Sequence, residues 1–192
     1  MEASDLTVVA QVRAGDHDAF RFLVERYSRP VFRVAYRVTG HEQDAEDVVQ
    51  ETFLRAYRQI GQFQERAAFS TWLYRIAFNC AQDLLRQRPK RQRLQSLDDE
   101  EATPGFEPAD DSADANPHRK LADTEFTGKL REAFGELSLQ ERAAFMLRHF
   151  EGLTIEEIGK VLGLQQSATK HSVFRAVRKL RLSMQPLYGG ES

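Results

Sequence analysis

Apolar residues recur through most of this chain at the three- and four-residue spacing that is typical of α-helices. One such stripe begins at Phe20 and continues to Val38, and Gly40 follows it as the expected helix end. Pro30 lies inside this stripe and predicts a kink or an interruption of the helix. No alternating pattern of useful length indicates a β-strand. The pattern therefore predicts an all-α protein.

The helical pattern stops at an acidic stretch, "SLDDEEATPGFEPADDSADANPH", which runs from Ser96 to His118. It holds eight carboxylates, no Lys or Arg, and three prolines. Its few large apolar side chains cannot offset the entropy lost on ordering, so we interpret it as a flexible linker. It is either a solvated spacer or a segment whose charge mimics nucleic acid or shields a basic surface. We therefore predict two small helical domains, a bundle at 5–93 and a four-helix domain at 122–185, joined by an acidic linker at 94–121.

The net charge of −2 conceals an uneven distribution along the chain. Residues 1–95 carry 15 Lys/Arg and 12 Asp/Glu, residues 96–125 carry 2 and 10, and residues 126–192 carry 10 and 7. Two mildly basic blocks therefore flank an acidic one. Basic blocks are suited to contact with nucleic acid, and this asymmetry is more informative than the total charge.

The segment "TIEEIGKVLGLQQSATKHSVFRAVRKLR" fits a helix-turn-helix. Capping boxes of the form S/T-x-x-E begin at Ser138 and at Thr154 and predict two helix starts. Gly163 marks the turn between the two helices of the motif. Ser167 is predicted to cap the last helix.

The last helix divides into an apolar back and a basic front. The back is formed by Thr169, Val173, Ala176, Val177 and Leu180. The front and one shoulder are formed by Lys170, His171, Phe174, Arg175, Arg178 and Arg181. Such a helix can enter the major groove of DNA while its later basic residues contact phosphates. An amphipathic helix with a solvated basic face is the alternative.

A second distinctive segment is "FSTWLYRIAFN", which extends from Phe69 to Asn79. A helical wheel predicts a core stripe of Phe69, Leu73, Ile76, Cys80 and Leu84. It predicts a polar stripe of Thr71, Arg75, Asn79, Gln82 and Arg86. Together with the basic tail "RQRPKRQR", this stripe could hold single-stranded nucleic acid by charge and stacking. Trp72 lies on the border, and its ring either joins Tyr74 and Phe78 in a bundle core or contacts bases.

The segment "DAEDVVQETFLRAYRQI" also divides into two faces. One apolar stripe is formed by Val49, Phe53, Ala56 and Ile60. The opposite face carries Asp47, Glu51, Leu54 and Arg58. A partly charged face with an exposed leucine suits a protein partner, and a merely solvated face is the alternative.

Several protein classes have no support in the sequence. No run approaches the roughly 18 apolar residues that a membrane span needs, and the N-terminus lacks the basic region of a signal peptide. The single cysteine, Cys80, excludes an intrachain disulfide, and we expect a cytoplasmic protein without membrane insertion. The five histidines have no zinc-ligand spacing, and no nucleotide-binding or hydrolase motif occurs. We therefore expect no metal, no cofactor and no enzymatic activity.

The segments "DAEDVVQETFLRAYRQI", "FSTWLYRIAFN" and "LTIEEIGKVLG…VFRAVRKLR" together resemble the extracytoplasmic-function (ECF) group of RNA polymerase sigma factors, within the sigma-70 family. The likeness covers nearly the whole chain. It implies a protein of two helical domains, without catalysis of its own, that binds core RNA polymerase. It also implies promoter recognition, melting of the −10 element, transcription initiation and an anti-sigma partner.

The resemblance assigns residues to three surfaces. It implies contact with the clamp helices of the polymerase's largest subunit for Asp44, Asp47, Gln50, Glu51 and Leu54, and contact of the chain with the polymerase flap. It implies contact with the melted −10 strand for Phe63, Arg66, Trp72, Arg75 and Asn79. It implies contact with the −35 duplex for Ser167, Lys170, His171, Ser172 and Arg175, with phosphates held by Arg178 and Lys179.

The chain departs from the common family pattern in two places. In the loop "FQERAAF", Arg66 stands where an acidic residue is more usual. The start of the recognition helix commonly resembles Gly-Thr-Val-Lys/Arg-Ser-Arg, and of this pattern only the basic residue, Lys170, is clearly retained. Neither the preferred −10 base nor the −35 sequence can therefore be transferred from the family.

Two other functions fit parts of the pattern. A conventional helix-turn-helix regulator would use residues 1–95 as a ligand or dimer domain and would bind duplex DNA without polymerase. A protein–protein adaptor would use the helix-turn-helix only as a bundle. The acidic linker and the lack of a long dimer helix disfavour the regulator.

Overall fold

The computed structural model describes residues 4–95, 128–130 and 132–188, without side chains at 88–95 and 186–188. The acidic stretch from residue 96 to residue 118 lies outside these ranges. The N-terminal elements are α1 (Asp5–Arg13), a 3₁₀ turn (His17–Ala19), α2 (Phe20–Thr39), α3 (Glu42–Gln59), a second 3₁₀ turn (Ile60–Gln62) and α4 (Phe69–Gln95). After the acidic stretch come helical residues at 128–130 and 132–135, then α5 (Leu139–His149), α6 (Ile155–Leu162) and α7 (Gln166–Tyr188). The described part of the chain contains no strand, and the all-α prediction is confirmed.

Helix α2 continues through Pro30 as one element, so the interruption, one of the two predicted effects of this proline, does not occur. Proline removes one backbone hydrogen bond, but Leu23, Val31 and Val34 are buried on a single stripe of the helix. Burial of this stripe holds the two halves in one element. The predicted end is confirmed, because Gly40 adopts a left-handed conformation with φ of 75°.

Helix α1 was not predicted from the sequence. Its buried face consists of Val8, Val9 and Val12, and the Ser4 hydroxyl caps its first turn. Asp5 accepts a hydrogen bond of 2.5 Å from the hydroxyl of Tyr27 and pairs with Arg26. These contacts anchor α1 on α2.

Helix α4 is buried on two sides. The predicted core stripe is confirmed at Phe69, Leu73, Ile76 and Cys80, which are at most 8% exposed, whereas Leu84 is only partly buried. The second apolar side, at Tyr74 and Phe78, is equally buried. Thr71, which the wheel placed on the polar stripe, is only 2% exposed, and its hydroxyl has no hydrogen-bond partner. Thr71 is buried because α4 packs against α2 and α3 and also against α6.

The C-terminal domain is built on the two predicted capping boxes, and both are present. At the start of α5, Ser138 and Glu141 exchange hydrogen bonds of 3.3 and 2.9 Å. At the start of α6, Thr154 and Glu157 do the same at 3.2 and 2.8 Å. The predicted cap at Ser167 was wrong, because α7 begins at Gln166 and Ser167 lies inside its first turn.

The helix-turn-helix is closed by a close approach at Gly159. Its carbonyl accepts a 2.9 Å hydrogen bond from the Leu164 amide, and Gly163 makes the turn with φ of 67°. A Cβ atom at residue 159 would lie 2.9 Å from the Leu164 carbonyl oxygen and 3.2 Å from the Thr169 hydroxyl. The short first helix can therefore lie on the second only because residue 159 has no side chain.

The two domains pack on each other through Glu151. Its side chain is 6% exposed and accepts hydrogen bonds from the Tyr74 hydroxyl at 2.5 Å and from Arg33 at 2.9 Å. Burial and this carboxylate together raise the pKa of Tyr74 far above its ordinary value, so the hydroxyl remains a donor. Nearby, the Arg37 guanidinium lies 5.3 Å from the ring centroid of Phe134.

We expect Gly159→Ala to lower the free energy of unfolding by about 1–3 kcal/mol, because the new methyl group meets a backbone oxygen that cannot move away. Alanine's helix propensity offsets at most about 1 kcal/mol of this. Urea unfolding measures the change. The matched control is Gly135→Ala, where a Cβ atom would have no neighbour within 4 Å and stability should hold or rise. Equal effects of the two substitutions would contradict the close approach.

The contact of Tyr74 with Glu151 can be tested by a double-mutant cycle. Tyr74→Phe and Glu151→Gln should show a coupling of about 1–3 kcal/mol in urea unfolding, because the hydrogen bond is buried and charged. Tyr57→Phe is the control, since Tyr57 is 39% exposed and should combine additively with Glu151→Gln. A coupling below about 0.3 kcal/mol between Tyr74 and Glu151 would mean that the domains do not pack in this way.

Candidate nucleic-acid and protein interfaces

Helix α7 presents a basic face to solvent. Lys170, His171 and Arg178 are exposed, while Thr169 and Ala176 on the opposite side are completely buried. Ser167 is also exposed, in the first turn. The helix therefore has the buried back and the basic front that insertion into a DNA groove requires.

Ser172 does not belong to that face. It is 2% exposed, and its hydroxyl donates a 3.0 Å hydrogen bond to the carbonyl of Ala168. We therefore correct its assignment to the −35 surface. Its three-residue spacing from Thr169 already indicated the buried side.

Two predicted DNA contacts are partly engaged inside the protein. Lys179 donates to Glu141 at 2.8 Å and to the carbonyl of Glu136 at 3.2 Å. Arg175 lies 3.4 Å from the other Glu141 oxygen, with its side chain 62% exposed. Lys179 therefore connects α7 to α5, whereas Arg175 still projects into solvent.

Phe174 was not among the predicted DNA contacts. It is 64% exposed and lies on α7 between Lys170 and Arg178. An aromatic ring in a basic row can contact a thymine methyl group or a sugar. The signal was visible in the sequence, as an aromatic residue on the basic shoulder of the helix.

Trp72, at the border between the polar and apolar sides of α4, belongs to a cluster of aromatic rings. Trp72 is half-buried, with its ring centroid 5.3 Å from that of Phe63 and 5.5 Å from that of Phe69. Phe63 is only 3% exposed, so its predicted contact with the melted strand is corrected. The cluster leaves part of the indole accessible and fixes its orientation.

Three predicted −10 residues lie on the surface. Arg66 is exposed on the loop before α4, and Arg75 and Asn79 are exposed on α4 itself. Arg75 also faces a cleft of about 470 Å³ that is lined from the other domain by residues including Glu156 and Lys160. The structure therefore places the two predicted DNA surfaces in neighbouring domains, with Arg75 at their junction.

The predicted polymerase-binding residues converge on a groove between α3 and α4. Asp47, Gln50, Glu51 and Leu54 line this groove of about 420 Å³, and Leu54 is 44% exposed. Asp44 lies one turn earlier on α3, outside the groove lining. The lining thus combines carboxylates, at Asp47 and Glu51, with the exposed apolar side chain of Leu54.

Arg55 connects the two walls of this groove. It donates to Glu51 on α3 at 2.6 Å and to Asp83 on α4 at 3.1 Å. These hydrogen bonds raise the pKa of Arg55 above its already high value. Cys80 lies in the lining, and burial raises the pKa of its thiol, so the cysteine remains an uncharged packing residue there.

The described residues form neither a membrane-spanning helix nor a metal cluster. None of the helices within the described ranges is long and apolar enough to cross a membrane. Among the same residues, no group of three or more His, Cys, Asp or Glu side chains is placed to hold a metal ion.

The fold and these surfaces define a class of protein: an all-α protein with a helix-turn-helix whose second helix is basic, and with a separate groove between α3 and α4. The chain matches the family model for sigma-70 region 2 over residues 23–91 and that for sigma-70 region 4 over residues 127–180. It is 34% identical to the RNA polymerase sigma-H factor of Pseudomonas aeruginosa over 187 residues, which cover 97% of this chain and 96% of that protein.

Solved structures have the same fold. CnrH, in complex with the cytosolic domain of CnrY, superimposes with a TM-score of 0.65 at 25% identity, over 99% of this chain and 100% of that one. The sigma factor RpoE, in complex with the anti-sigma factor NepR from Bartonella quintana, gives a TM-score of 0.68 at 20% identity, over 86% and 96%.

The chain belongs to the ECF group of RNA polymerase sigma factors, in the sigma-70 family. Its function is accordingly to direct RNA polymerase to promoters for transcription initiation. Sigma factors are not catalytic enzymes. The family resemblance read from the sequence is confirmed.

Acid should weaken the C-terminal domain through Glu141. Burial by itself raises the pKa of this carboxyl group, but hydrogen bonds from Lys179 and Ser138 outweigh it and lower the pKa below the usual 4.5. Because the folded-state pKa is lowered, the stabilisation is complete above pH 4.5 and is lost as the pH falls through the lowered value.

Glu141→Gln should therefore cost about 1–3 kcal/mol near neutral pH and progressively less below the usual glutamate pKa. Urea unfolding of both proteins between neutral and acidic pH measures the difference. Glu156→Gln is the control, because that side chain is 73% exposed and its pairing with Lys160 should matter little. A cost for Glu141→Gln that is independent of pH would contradict the ionic role.

Proposed function

We propose that the groove between α3 and α4 binds the clamp helices of the polymerase's largest subunit and that the chain also contacts the flap. Asp47, Gln50, Glu51 and Leu54 would supply this contact, with Asp44 at its edge. The proposal is supported by an exposed leucine beside carboxylates in the groove lining, a combination that suits a basic and partly apolar partner helix.

We assign the two promoter elements to different domains. The N-terminal domain, at 5–93, would hold the melted −10 strand through Arg66, Trp72, Arg75 and Asn79. The C-terminal domain, at 122–185, would bind the −35 duplex through Ser167, Lys170, His171, Phe174, Arg175 and Arg178. Lys179 would act mainly by fixing α7 on α5, and the acidic linker at 94–121 would join the two domains.

The observation that carries this proposal is the composition of the α7 surface. A basic row is exposed on a helix whose opposite side is completely buried, at Thr169 and Ala176. That helix follows a tight turn at Gly163, as the second helix of a helix-turn-helix does. Affinity would come from phosphates and sequence discrimination from the first two turns of the helix.

Binding both elements requires the domains to separate. Elements centred near −35 and −10 lie about 85 Å apart along B-DNA at 3.4 Å per base pair. In the packed arrangement α4 lies directly against α6. Promoter binding would therefore release the contacts of Glu151 with Tyr74 and Arg33.

Regulation would come from an anti-sigma factor. Support comes from the solved sigma factor that was captured with the anti-sigma factor NepR. We propose a cytoplasmic location and a stress or envelope regulon for this sigma factor.

The proposal is tested by transcription of a genomic promoter pool with core polymerase and this protein, followed by sequencing of the transcribed promoters. We expect a shared −35 and −10 pattern. Lys170→Ala should then weaken binding to the selected −35 duplex by about 1–3 kcal/mol if it contacts a base. If it contacts a phosphate, the salt dependence of binding should fall by about one unit.

Arg21→Ala is the control, because Arg21 is exposed on α2 and lines neither the groove nor the cleft at Arg75. Transcription without any shared promoter pattern would contradict the assignment of both elements. Tight binding to duplex DNA without polymerase would instead favour a conventional regulator.

A further inference from the structure

Arg13 makes a three-point contact with the segment that leads into the proposed −10 loop. Its Nε donates to the Ile60 carbonyl at 3.1 Å, and a terminal nitrogen donates to the Phe63 carbonyl. The other terminal nitrogen pairs with the Glu65 carboxylate at 3.1 Å. The guanidinium group thus uses its fork to hold a chain segment about 50 residues away in sequence.

The segment that Arg13 holds has an unusual backbone. Glu65 has a φ of 58°, and it is the sole non-glycine residue with positive φ in the described part of the chain. Such a conformation is strained at a non-glycine residue and persists when its surroundings determine it. The ion pair with Arg13 is a contact that can hold Glu65 in place.

The helix that carries Arg13 is itself held in place. It ends α1, whose Val8, Val9 and Val12 are buried in the bundle. At the other end of α1, Asp5 is bound to Arg26 and Tyr27. Arg13 therefore projects from an element that is anchored at both ends.

The residue that follows the unusual conformation is Arg66, which is exposed and has a proposed contact with the melted strand. The loop between Phe63 and Phe69 starts and ends at buried rings. The rings fix only its two ends, so the path of the exposed residues between them depends on other contacts, such as the one from Arg13. The turn at Glu65 sets the direction in which Arg66 leaves the backbone.

We infer that Arg13 is a positioning residue for −10 recognition: it holds the loop from residue 60 to residue 68 in the conformation that presents Arg66 to the melted strand. The inference rests on the proposed function of that loop. Arg13 itself does not contact the DNA.

The test uses the full chain with core polymerase and one promoter that the wild-type protein selects, with its six −10 positions randomised. Sequencing the transcripts gives the base preference at each position. Arg13→Met keeps an unbranched apolar stem but loses the charged fork, and we expect it to lower the strongest preference by about three- to tenfold. Arg13→Lys should restore only part of it, because one ammonium group cannot reproduce three contacts.

Two further variants separate positioning from stability. Glu65→Gly tolerates positive φ but removes the ion pair, and it should also relax the preference without impairing folding. In an Arg66→Ala background, Arg13→Met should have little additional effect on the preference, because both changes act on one contact. Arg29→Met, at an exposed arginine of α2, is the matched control and should leave the preference unchanged.

The outcomes are distinguishable. A wild-type protein that selects no −10 pattern overturns the proposed function and this inference with it. A wild-type pattern that persists in both Arg13→Met and Glu65→Gly, with only the melting temperature lowered, overturns the inference alone. A uniform loss of transcription with unchanged base preference also overturns it, because that result indicates a phosphate contact.

Discussion

Helix α4 must satisfy two neighbours at once, and the arrangement of the whole molecule depends on this constraint. One side completes the N-terminal bundle, and the other receives α6 of the second domain. Between residues 69 and 81 only Arg75 and Asn79 remain exposed. In the packed arrangement, this stretch of the helix therefore offers nucleic acid those two positions and the accessible edge of Trp72. The same helix supplies a wall of the groove proposed for polymerase, so both functions depend on its packing.

The recognition helix depends on a comparable buried interaction. Glu141 is 3% exposed, closes the capping box of α5 and binds both Lys179 and Arg175 of α7. A buried carboxylate that lost its cations would be strongly destabilising, so these contacts fix the angle between the two helices. The basic side chains of α7 are therefore of two kinds: those that contact Glu141 and those that face only solvent. Lys170 and Arg178 belong to the solvent group, and this division could not be read from charge alone.

The loop before α4 illustrates how a recognition element is built from contacts distant in sequence. Its two ends are buried rings, Phe63 and Phe69, which also orient Trp72. Its middle is reached from α1 by Arg13. The sequence of the loop reveals Arg66 but gives no sign of Arg13, which lies about 50 residues earlier in the chain. A rigid scaffold with an exposed tip is the usual way in which loops carry function.

The sequence by itself determined the helical fold, both capping boxes, the left-handed ends at Gly40 and Gly163 and the family. Each of these depends on local spacing or on backbone conformations that a residue type favours. Only the tertiary structure decided that α2 continues through Pro30 and that Phe63 and Thr71 are buried. Periodicity predicts which side chains share a face of a helix. It does not predict how many faces are covered, because the covering elements are far away in the chain and their packing depends on the whole fold.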